Sequence, residues 1–125
     1  QNPIKQVDEQ CEKELVQLAK LLAESVIFQE VKTQQDIILL ALKKAINAMP
    51  YGQEEIKIHL HPDDLEIVKN AYGEAHLQEQ KWHLLPEPTL DKGGCEVKTP
   101  QSSIDITLKT RIKEILDTFL HDSGI

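Results

Sequence analysis

The segment Ile56-Lys57-Ile58-His59-Leu60-His61-Pro62-Asp63-Asp64-Leu65 decides the fold. Ile56, Ile58 and Leu60 alternate with Lys57, His59 and His61, the period-two pattern of a half-buried strand. Pro62 suits a first helical position, and Asp63 and Asp64 follow where the positive end of a helix dipole favours carboxylates. Leu65, Val68 and Tyr72 give that helix an inner face, and Gly73 ends it. A strand therefore feeds directly into a short helix.

Working upstream, the period lengthens. Ile37 to Leu42, with Ala45, Ile46 and Met49, is apolar nearly all round, so this helix belongs in the core. Thr33-x-x-Asp36 reads as its capping box, and Pro50 and Gly52 as its stop. Before it, Ile4, Val7, Cys11, Leu15, Leu18, Leu22 and Val26 recur in steps of 3, 4, 4, 3, 4 and 4. The mean of about 3.67 is the eleven-residue repeat, which favours a slightly right-handed supercoil. Polar residues fill the other face at the N-terminal end. A helical arm over residues 1–17 is expected to leave a globular part spanning 18–122, and the stripe Ile4, Val7, Cys11, Leu15, Leu18, Leu22 and Val26 is expected to pair with a second copy. The stretch from Leu18 to Val31 is expected to pack largely on its own domain.

Downstream, Lys81–Leu85 reads as a second strand, closed by Pro86 and Pro88. Cys95–Thr99 and Ser103–Thr107 flank Pro100-Gln101-Ser102 as a hairpin, with Cys95 and Val97 opposite Ile104 and Ile106. Thr107 caps a last helix whose apolar side chains are Leu108, Ile112, Ile115, Leu116, Phe119 and Leu120. The expected class is α+β, a long N-terminal helix followed by a small, four-stranded sheet packed with helices, in the order α-α-β-α-β-β-β-α. In the last helix Ile112 and Leu116 are expected to face the core. Phe119 and Leu120, with Ile115, are left as an apolar surplus for a partner's amphipathic helix.

The 125 residues carry 14 basic and 21 acidic side chains, a net charge of −7. That balance, and five scattered aromatics, speak against nucleic acid as a partner. The longest apolar run, Ile37 to Leu42, is far short of the roughly 20 residues that span a bilayer. No leader is visible, and the sequence opens at Gln1 without an initiator Met, as a fragment of a longer chain would. Cys11 and Cys95 read as reduced thiols of a cytoplasmic protein.

No motif reads as catalysis. His59-x-His61 lacks a third ligand at a defined spacing, so no metal or other cofactor is expected. Asp91-Lys92-Gly93-Gly94-Cys95 has its lysine before the glycines and leads into a strand, unlike a phosphate loop. The glycines are expected to make a tight turn with positive φ. Cys95 sits in an inward-facing pattern and reads as a core thiol, the alternative being a small enzyme using it with His59 or His83. Adjacent carboxylates at Glu54/Glu55 and Asp63/Asp64 point in different directions and make no acid/base dyad.

The block Gly93-Gly94-Cys95-Glu96-Val97-Lys98-Thr99-Pro100, with Ile104-Asp105-Ile106-Thr107-Leu108-Lys109-Thr110-Arg111, resembles the C-terminal domain of the FliH family of flagellar assembly proteins. The strand and turn from Ile56 to Leu65 are similar to that family's alternating strand and N-P-x-D-L turn. His61 stands where Asn is usual and is expected to weaken the helix cap. Gly93, Gly94, Cys95, Asp105, Leu108 and Arg111 are the motif positions. The resemblance implies a non-enzymatic stator and negative regulator of the flagellar type III export ATPase. Such a protein is dimeric through its N-terminal helix, binds the ATPase's N-terminal region, and sits in the cytoplasm at the base of the export apparatus. Injectisome stators and the peripheral-stalk E subunits of rotary ATPases are similar in outline.

Overall fold

The computed structural model describes residues 3–31, 34, 36–49 and 54–122. Its elements are α1 (Pro3–Val31), α2 (Asp36–Ala48), β1 (Ile56–Leu60), α3 (Pro62–Tyr72), α4 (Glu74–Gln80), β2 (Trp82–Pro86), β3 (Cys95–Lys98), β4 (Ser103–Ile106) and α5 (Leu108–Asp122). The class is the expected α+β, with one helix more than the sequence reading counted. Thr33, Pro50, Gly52 and the side chains of Ile4 and Val7 lie outside the described residues.

The four strands form one mixed sheet in the order β2-β1-β3-β4. β1 pairs parallel with β2, Ile58 opposite Leu84, which requires the α3–α4 crossover between them. It pairs antiparallel with β3, Ile58 opposite Val97 and Leu60 opposite Cys95. β3 and β4 make the expected hairpin, Cys95 opposite Ile106 and Val97 opposite Ile104.

Alternation puts Ile58, Leu60, Cys95 and Val97 on one face. There they meet Ile38, Leu42 and Ala45 of α2 and Val68 of α3 in the main core. The opposite face carries Lys57, His59, His83, Glu96 and Lys98 and is polar, as a sheet covered on one side should be.

Gly73 stops α3 with φ 84° and ψ 154°, a backbone region essentially reserved for glycine, and α4 starts from it. α4 folds its buried Leu77 inward. Tyr72, His76 and Trp82 close this corner. Tyr72 stacks on His76 with ring centroids 5.3 Å apart, and Trp82 stands edge-on to the two at 5.2 and 5.5 Å.

His61 does cap α3. Its Nδ1 accepts the Asp63 N–H at 3.0 Å, so a ring nitrogen takes the place of an asparagine oxygen.

Candidate partner-binding surface

Two helices stand apart from the sheet core. Val31 of α1 and Leu108 and Ile112 of α5 form a second, smaller cluster, packed by Ile27, Phe28, Ile37 and Leu116. Leu120, further along α5, borders a hollow of about 370 Å³ together with Glu9, Lys13 and Val16. α5 thus runs back along α1.

The covered side of α1 is not the regular stripe that the sequence displays. Val16, Ala23, Ile27 and Val31 are wholly or partly buried, whereas Cys11, Leu15, Leu18, Leu22 and Val26 are exposed, Val26 at 69%. At 3.6 residues per turn the two sets lie roughly 135° apart around the helix. The expectation that Leu18, Leu22 and Val26 pack on their own domain is therefore corrected. α5 takes the other side of α1 and leaves the eleven-residue stripe open from Cys11 to Val26.

On α5, Ile112 is 5% exposed and Leu116 is half-buried, as expected, while Ile115 and Phe119 are 67% and 61% exposed. Leu120 departs from its assignment to the open patch. It is half-buried, because the i+4 row Leu108, Ile112, Leu116, Leu120 turns steadily toward α1. Among the described residues, every exposed large apolar side chain except Leu40 lies on α1 or α5.

The motif residues assemble where these helices join the sheet. Gly93 has φ 94°, as its turn requires, and its N–H donates to Asp64 Oδ2 at 2.8 Å. Asp64 is buried at 3% exposure, and that burial pushes its carboxyl above the usual range despite the Gly93 hydrogen bond. Asp63, beside it, is exposed and bonds Lys92 at 2.7 Å, which holds its carboxyl low. The sequence treated the two as a matched pair of dipole-facing carboxylates. Only the downstream loop, 29 positions away, distinguishes them.

Gly94 is needed for closeness and not for turning. A Cβ there would lie 2.5 Å from the Ile106 carbonyl oxygen and 2.6 Å from Thr107 Cα. Asp105 then starts α5. It accepts the Thr107 N–H and the Thr110 hydroxyl, both at 2.8 Å, while Thr107 Oγ1 accepts the Thr110 N–H at 3.4 Å. Burial alone would raise the Asp105 carboxyl, but these hydrogen bonds together hold it below the ordinary range. Leu108 enters the α1–α5 cluster, and the Arg111 amide donates to the Thr107 carbonyl, closing the first turn.

The reactive-thiol alternative meets a geometric obstacle. Cys95 is fully buried, and burial, with Asp64, Asp105 and Glu96 nearby, pushes its thiol up to about 12. It pairs with Leu60 on the core face, whereas His59 and His83 project from the opposite face. Each of those imidazoles faces a carboxylate there, His59 with Glu87 at 3.2 Å and His83 with Glu55 at 3.6 Å. A thiolate is disfavoured, and neither histidine shares its face of the sheet.

The glycine–cysteine strand, the Asp105 cap and the helix that follows are thus one structural unit, and comparison with known proteins tests its meaning. The family model described as "Flagellar assembly protein FliH" matches residues 1–115. The chain belongs to the FliH family. Flagellar assembly protein FliH of Salmonella typhimurium is 29% identical over 92% of this chain and 48% of its own length. The Escherichia coli K12 protein of the same name is 30% identical over 81% of this chain and 44% of its own length. The probable flagellar assembly protein FliH of Bacillus subtilis is 24% identical over 90% and 54%. The chain spans about half the length of these FliH relatives. FliH is a family of assembly proteins, not of enzymes, and no helix among the described residues is long and apolar enough to cross a membrane.

Proposed function

We propose that this chain is the ATPase-binding region of a flagellar export stator. It acts in the cytoplasm at the base of the export apparatus, without catalysis of its own, and restrains the export ATPase while holding it. Two copies pair through α1, with residues 1–17 as the arm and the open stripe extending the seam to Val26. The outer flank of α5, Ile115 and Phe119 with Leu120 at its margin, receives an amphipathic segment from the N-terminal region of the ATPase.

The observation that carries this reading is the placement of the exposed apolar side chains. They gather on the two helices that stand outside the sheet core, where a buried face has already been provided for each helix. Apolar surface left over in that arrangement is the ordinary mark of a partner. The FliH assignment favours a flagellar ATPase over an injectisome or rotary-ATPase counterpart.

Two measurements on the full-length protein test the proposal. Co-purification with the export ATPase should yield a complex with lowered ATP turnover. Leu15→Asp with Leu22→Asp should shift the protein toward monomer in sedimentation, because the seam would then have to desolvate charge. An ATPase that is neither retained nor slowed overturns the regulatory role, and an unchanged oligomer overturns the seam.

A further inference from the structure

The α1–α5 pair and the sheet have separate apolar clusters, so something must fix one against the other. Ile37 of α2 touches the α1–α5 cluster beside Ile38 in the sheet core, and Gly93 lies between the two where α1 and α5 both reach the sheet. On one side its amide is held by Asp64 of α3 at 2.8 Å. On the other, a Cβ built on it would lie 2.8 Å from both methyl carbons of Val31 and 2.9 Å from Leu108 Cδ1. Those distances mean that the side chains of α1 and α5 rest directly on the Gly93 backbone.

The two neighbours are not equivalent. Leu108 touches with the far end of a flexible side chain and could swing aside. Val31 touches with methyls branched at its own Cβ, which have one favoured rotamer in a helix. If Gly93 gained a side chain, the Val31 methyls could be accommodated only by displacing the last turn of α1.

We propose that Gly93 is the seat of α1, and that the Val31–Gly93 contact, backed by Asp64, sets the direction in which the arm leaves the sheet. α5 shares the same seat through Leu108, so arm and terminal helix are oriented together. The direction of the α1–α5 pair against the sheet, and so of any partner it carries, is set in large part at this joint.

Amide hydrogen exchange on the full chain tests the seat. Gly93→Ala adds backbone strain at φ 94° to the clash and should speed exchange in residues 23–31 and 108–116 by at least roughly 5- to 150-fold, the range for an overpacked contact alone. Val31→Ala should loosen the same two segments without touching the loop. In Gly93→Ala/Val31→Ala the new methyl occupies the space vacated, so the double variant should exchange no faster than the faster single one. Additive effects of the two substitutions, or no change in α1 and α5 with Val31→Ala, would each overturn the proposal. The last holds even if Gly93→Ala fails to fold.

Discussion

Phe119→Ala is the substitution that best separates surface from core in the proposed docking site. Phe119 is 61% exposed, and Ile112, two turns earlier on the same helix, is 5% exposed. A phenylalanine side chain offers about 200 Å², so roughly 120 Å² is open to a partner and roughly 80 Å² already touches its own chain. At about 25 cal/mol per Å², complete coverage by a partner is worth at most ~3 kcal/mol. After the ordering costs of association, truncation should weaken ATPase binding by about 1–3 kcal/mol, a rise in Kd of roughly 5- to 150-fold. Its own stability should fall by no more than ~2 kcal/mol, the value of the part already covered. Ile112→Ala should do the reverse. It removes a buried branch and should cost about 2–5 kcal/mol of stability, with Kd little altered while the protein remains folded. Isothermal titration against the purified ATPase gives Kd, and urea unfolding gives stability. An unchanged Kd for both Phe119→Ala and Ile115→Ala would remove α5 from the interface. A stability loss in Phe119→Ala equal to that in Ile112→Ala would assign Phe119 to the core.

Asp64→Ala strips the acceptor from a buried amide and should cost about 1–3 kcal/mol, whereas Asp64→Asn keeps an oxygen for Gly93. Because the Asp64 carboxyl is raised in the fold, its ionisation weakens the native state as pH climbs from the ordinary value near 3.9 through the raised one. Urea unfolding of Asp64→Asn should therefore gain on wild type across that rise and run parallel above it; a constant difference at all pH values refutes the sign. Asp105 has the opposite sign: its lowered carboxyl stabilises the fold above the ordinary value and loses that contribution as pH falls through the lowered one. Asp105→Ala should cost about 0.5–2 kcal/mol at neutral pH, as a lost helix cap does, and the gap should close in acid. Thiol titration of the native protein should leave Cys95 unreacted until unfolding, whether or not a second copy covers Cys11; a second thiol reacting in the native protein would show that the core opens around Cys95.

The sheet was legible because its signals are local. Alternation from Ile56 to Leu60 and the spacing of Cys95 and Val97 against Ile104 and Ile106 specify faces and register within a few residues. α4 was not, since Glu-Ala-His-Leu-Gln-Glu-Gln buries only Leu77 and starts at a glycine that offers no side-chain cap. In α1 the reverse happened. The regular stripe is the uncovered one, and the face turned to α5 includes Lys20 and Glu24, half-buried charges that break any apolar rhythm. Periodicity identifies a face without saying what lies against it. The motif positions were recognisable, yet the reason for Gly94 is an approach to the Ile106 and Thr107 backbone, and no spacing within the Gly93-Gly94-Cys95 turn reports it.

The pairing of α1 with α5 also orders events during synthesis. β3 and β4 are hairpin neighbours and can pair as soon as both are made, but β1 must wait for β3 to gain its antiparallel partner. α1 waits longest. Of the described elements it is made first, while α5, the helix that covers Val16, Ile27 and Val31, follows only after all four strands. Until then a nascent chain exposes both apolar faces of α1, one meant for its own last helix and one left open in the finished fold. Pairing that must span most of a domain is slow to close, and apolar surface left waiting is prone to misassembly. The scattered charges on the α5-facing side, Lys20 and Glu24, sit where they make premature capture of that face by another chain less favourable.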